Sequence, residues 1–110
     1  MTINATTKEM RMVRGDSEMI VVRCPDDPFV SGDIVEFSVR KKVKTERLVH
    51  KTVTLFDSGK AYIELIPSDT DELEFGDYVY DIQVTRANGW VTTLIKTSKF
   101  VLETEVTYND

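Results

Sequence analysis

Two clusters of carboxylates offer the first chemistry to weigh: Asp69, Asp71, Glu72, Glu74 and Asp77, and separately Asp26, Asp27 and Asp33. Calcium needs about six to eight oxygens in fixed geometry. The Asp-x-Asp-x-Asp-Gly order of a helix–loop–helix site is absent, so only weak binding of calcium in the loops stays open. A glycosidase needs two carboxylates facing each other across a cleft, one with a raised pKa, and a chain of 110 residues rarely forms such a cleft. Solvated acidic loops are the simpler reading. The single histidine, His50, and the single cysteine, Cys24, have no partner at metal-ligand spacing, which argues against zinc. Cys24 ends an apolar run and reads as a small core residue rather than a nucleophile. Neither Gly-x-Ser-x-Gly nor a phosphate-cradling glycine loop occurs. No enzyme chemistry and no cofactor is expected from these residues.

Aromatic side chains give a second possibility. Tyr78, Tyr80 and Trp90 on neighbouring strands would make a stacking platform for sugars or bases. Their alternation with hydrophilic positions more simply makes them core, and a Tyr hydroxyl near a strand end reaching a backbone group is familiar in sandwiches. Arg14-Gly15-Asp16 matches a short integrin-binding sequence of animal matrix proteins, but followed by Ser17 it reads as a turn.

Whatever these residues do, strands must position them. From Gly76 to Thr85, Tyr78, Tyr80, Ile82 and Val84 alternate with Asp81, Gln83 and Thr85, which gives a strand one apolar and one largely polar wall. Asn88-Gly89 turns the chain into a second arm, Trp90 to Ile95. Similar alternation predicts strands around Met10 to Val13, at Ile34 to Lys41, at Arg47 to Phe56 with Val49, Val53 and Leu55 on one face and His50, Thr52 and Thr54 on the other, from Ala61 to Leu65, and from Phe100 onward. Met19 to Cys24 reads as a strand buried on both sides, stopped by Pro25 and Pro28. Asp57-Ser58-Gly59-Lys60 is a hairpin turn, and Lys96-Thr97-Ser98 a bend. Pro67 to Leu73 breaks the period of two and predicts one helical turn, capped by Ser68 or Asp69, with Leu73 as its apolar plug. The sum is an all-β, immunoglobulin-like antiparallel β-sandwich of seven or eight short strands with a short helical turn near 67–73. Residues 1–6 read as a flexible leader and 7–110 as one domain.

Composition narrows the partners. Net charge is −5, and nucleic-acid modules usually carry a basic face, so no nucleic-acid partner is expected. The basic run Arg40-Lys41-Lys42-Val43-Lys44, with Arg47 and Lys51 beyond, reads as a solvated loop between strands. The polar N-terminus has no signal-peptide core, and no run approaches the ~20 apolar residues of a membrane helix. Synthesis in the cytoplasm and no membrane partner are expected.

Several stretches together resemble a known group: Gly32 to Lys41, Gly59 to Leu65, Pro67-Ser68-Asp69-Thr70, Phe75 to Thr85, Gly89, Val91 to Leu94, and Phe100 to Thr107. In this order they resemble small β-sandwich structural proteins of phages and prophages of Gram-positive bacteria. They are also similar to the N-terminal domain of phage baseplate upper proteins, a tail element. That resemblance implies a non-catalytic virion component, working in the bacterial host by docking to other virion proteins or to further copies of itself. The alternative is an Ig-like binding module for a glycan or for calcium. Tyr62, Ile66 and Val79 lie opposite their strands' core sets and are candidates for partner contact, or else fill a covered second side of a sheet.

Overall fold

The computed structural model describes residues 9–104 and, for the backbone alone, Thr2 and Ile3. Eight strands and one helix follow one another: β1 (Thr2–Ile3), β2 (Met10–Val13), β3 (Glu18–Val22), β4 (Ile34–Arg40), β5 (Arg47–Val53), β6 (Ala61–Leu65), α1 (Pro67–Thr70), β7 (Gly76–Thr85) and β8 (Val91–Glu103). They form a three-stranded sheet, β1-β3-β6, and a five-stranded sheet, β2-β8-β7-β4-β5. The expected all-β sandwich is what forms. Its two N-terminal pairings, β1 with β3 and β2 with β8, are parallel. Thr2–Ile3, read as part of a flexible leader, runs beside Val21 and Val22; Met1, residues 4–8 and residues 105–110 lie outside the described residues.

Alternation builds the core as the physics of a pleated strand requires. Val35, Phe37 and Val39 of β4 and Tyr78, Tyr80, Ile82 and Val84 of β7 turn inward against Ile20 and Val22 of β3 and Ala61, Ile63 and Leu65 of β6. At its centre Phe37, Tyr80 and Phe100 pack with ring centroids 5.9, 6.3 and 6.5 Å apart. Such aromatic pairs add about 0.5–1.5 kcal/mol each beyond the area they bury. The Tyr78 hydroxyl donates to the Glu74 carbonyl at 2.7 Å, so the strand-end tyrosine is present.

Turn chemistry is also as the residues dictate, with refinements. Ser58 (φ 53°) and Gly59 (φ 75°) make a two-residue turn in which Asp57 and Lys60 exchange both backbone hydrogen bonds. The β7–β8 turn is one residue longer than a two-residue hairpin: Arg86 N–H donates to Trp90 O, Gly89 N–H donates to Arg86 O, and only Gly89 takes positive φ. The bend expected at 96–98 is instead a bulge inside one long strand, β8, where Tyr80 faces Ser98 but Ile82 faces Ile95. Helix α1 starts after Ile66, whose N–H donates to the Asp69 carboxylate at 2.8 Å. Leu73 packs against the core as the expected plug. No helix among the described residues is long and apolar enough to cross a membrane.

Candidate functional site

Three connections meet at one end of the sandwich: 23–33 between β3 and β4, 54–60 between β5 and β6, and 86–90 between β7 and β8. Arg86 holds two of them together. One terminal nitrogen, Nη1, lies 3.0 Å from Asp33 Oδ2 and donates to Pro28 O. The other, Nη2, donates to Asp27 O at 2.8 Å, lies 3.2 Å from the Asp27 carboxylate, and reaches Cys24 Sγ at 3.8 Å. Its guanidinium also sits over the Phe29 ring. The forked, planar shape of arginine suits such a set of fixed acceptors.

Asp33 is the buried member of the pair. Burial by itself pushes its carboxyl up, but the Val30 and Ala87 N–H groups at 3.0 and 2.9 Å, with Arg86, outweigh that and hold the pKa below the ordinary value. This is an anchor with its oxygens already occupied, not a poised acid or base. Glycine completes the closure: a Cβ on Gly59 would stand 2.7 Å from Pro28 Cβ, and Phe29 N–H donates to Gly59 O.

The anchor displays an apolar rim. Leu55 is 86% exposed and Trp90 70%, and Val30, Ile34 and Val91 are exposed beside them. Strand register places Ile34 opposite Thr85 and Thr85 opposite Val91, so Ile34 and Val91 share the outer face. Phe29, Val30, Leu55 and Phe56 line a depression of about 220 Å³. Across Gly59 a second depression of about 250 Å³ is lined by Arg23, Cys24, Pro28 and Lys60. Neither Arg23 nor Lys60 forms an ion pair among the described residues.

Sequence reasoning favoured the core for Trp90 and put Leu55 on one strand face with Val49 and Val53; the structure leaves both in solvent. β5 ends at Val53 and the β7–β8 turn runs to Trp90, so both side chains lie in connections outside the paired strands and are exposed. Alternation gives the side of a strand, not whether anything lies across from it. A large apolar residue within a residue or two of a turn was the available signal.

The other candidates scatter. Asp69 pairs with Lys51 at 2.9 Å, Asp77 with Lys99 at 3.5 Å, and Asp71, Glu72 and Glu74 point to solvent. Among the described residues no three His, Cys, Asp or Glu side chains come close enough to hold a metal ion. His50 lies 3.0 Å from Glu36, with Arg47 beside it, on the outer face of β4 and β5. Tyr62 and Ile66 are exposed on the outer side of the three-stranded sheet, while half-buried Val79 faces Arg40 and Lys99 on the outer side of the other. The three therefore do not form one surface.

No family model and no curated protein matches the chain. Among solved structures, CopC from Methylosinus trichosporium OB3b superposes with a TM-score of 0.55 at 13% identity, over 96% of this chain and 93% of that one. This corrects the phage reading: the structural likeness is to CopC and not to a phage tail or baseplate protein, and no virion role follows for this chain. The physical reason lies in the matched motifs. Gly32, Gly59 and Gly89 take positive φ at turns, Gly76 takes it at the start of β7, and the Tyr-x-Tyr-Asp-Ile run is a core strand, so the shared residues are those any such sandwich needs. At this identity the likeness to CopC is one of fold alone.

Proposed function

We propose that the chain is a non-catalytic association module that holds a protein partner on the loop end of its sandwich. One observation carries this reading: Leu55 and Trp90 stand in solvent on a surface fixed from behind by the Arg86–Asp33 anchor. Exposing large apolar groups has a hydration cost that burial against a partner relieves, at roughly 25 cal/mol per Å². Tryptophan is also a residue type on which binding energy concentrates. Tyr62 and Ile66, 38% and 43% exposed, make a smaller patch on the three-stranded sheet; Leu55 and Trp90 are nearly twice as exposed, and that difference favours the loop end.

The test is a photo-reactive amino acid placed at position 55 or 90, with Thr52 and Gln83 on the sheet face as control positions. Protein adducts formed at 55 and 90 and not at 52 and 83 support the reading. Equal or absent labelling at the four sites refutes it.

A further inference from the structure

We infer that the partner on the loop end is a second copy of the same chain, docked end to end across a two-fold axis. The inference rests on the reading of that end as an association surface, and two observations turn it toward self-contact.

A two-fold interface uses one patch twice, so whatever projects must find its receptor on the same patch. The loop end carries both halves: the projecting Trp90 indole, and the depression between Phe29, Val30, Leu55 and Phe56. Charge follows the same rule. Arg23 and Lys60 line the neighbouring depression without ion-pair partners, and Asp26 and Asp57 at the same end are equally without ion pairs among the described residues. A partner of one sign would set like charges against half of this group; a rotated copy offers each sign its opposite. Area sets the strength of such a contact. The molecule measures 51 × 29 × 24 Å, so an end face across the long axis is on the order of 700 Å². A standard stable interface takes about 800 Å² from each partner. Such an end can support a reversible dimer and not an obligate one.

Sedimentation velocity on the full chain, from low to several hundred micromolar, reads the equilibrium directly. The expected result is a monomer–dimer exchange. Because Trp90 is the only tryptophan, its emission shifts to the blue in step with dimer formation. Leu55→Asp and Trp90→Ala each weaken the dimer about tenfold or more. Both side chains are exposed in the monomer, so an unchanged melting midpoint serves as the folding control. A variant carrying R23E and K60E, mixed with one carrying D26K and D57K, restores pairing that neither shows alone. Sedimentation as a monomer throughout, or a dimer indifferent to Leu55→Asp, overturns the inference. Adducts at positions 55 and 90 to a different protein, with a monomer in the centrifuge, refute self-contact and leave the association reading standing. Unselective labelling refutes both.

Discussion

Asp33 and Arg86 lie 53 residues apart in the chain, and the Asp33 carboxylate is buried with the half-buried Arg86 guanidinium as its partner. Removing one partner of such a pair leaves a charge facing low dielectric, so Arg86→Met should destabilise the fold by about 2–3 kcal/mol. A denaturant titration reads this as a lower midpoint at unchanged slope. The pH dependence has a definite sign. The folded pKa of Asp33 is depressed, so its contribution is complete above the unfolded value, about 3.9, and is lost as pH falls through the folded value. Asp33→Asn should flatten the acid limb of the stability profile below about pH 4. Tyr80 behaves in the opposite sense. Burial pushes its hydroxyl up to about 12, so its contribution is complete below about pH 10 and is lost as pH climbs from there. Ultraviolet titration of tyrosinate should show Tyr80 ionising only as the fold opens, and Tyr80→Phe should flatten that alkaline loss. Gly59→Ala should cost about 1 kcal/mol or more, from its positive φ and the approach of Pro28.

Among the elements, β8 has the longest exposed edge. Only Phe100–Glu103 pair with β2, so among the described residues Val91 to Lys99 have a neighbour on the β7 side alone. An open edge rich in Val, Thr, Leu and Ile invites unwanted pairing. Here register slips flank Ile95, Ser98 Oγ donates to Lys96 O, and Lys96 and Lys99 place charge along the edge. These features blunt strand addition along this edge. The double variant Lys96→Val, Lys99→Val should aggregate faster than the parent at equal folded stability, as light scattering with time would record. At the other end of β7, Tyr78→Phe removes the bond to Glu74 O and should cost about 1 kcal/mol by thermal melting.

Taken whole, the molecule is a two-layered body with an exposed apolar rim at one end, and its likeness to CopC extends to the two-layered architecture alone. Residue spacing, read without any structure, determines most strands, the inward set around Phe37, Tyr80 and Phe100, the turns at Gly59 and Gly89, and the helical turn after Ile66; it misplaces the end of β5, breaks β8 at 96–98, and buries both sides of β3, where Met19 is exposed. Those are local matters, set by side-chain spacing and by which residues tolerate positive φ. Tertiary structure decided the rest. It set where β5 ends and where β8 begins, and it left Leu55 and Trp90 uncovered in the connections. It brought Arg86 to Asp33 across the β4–β7 ladder, and it put Tyr62 and Val79 on opposite faces. Each of these depends on contacts between segments distant in sequence, which spacing along a single strand does not encode.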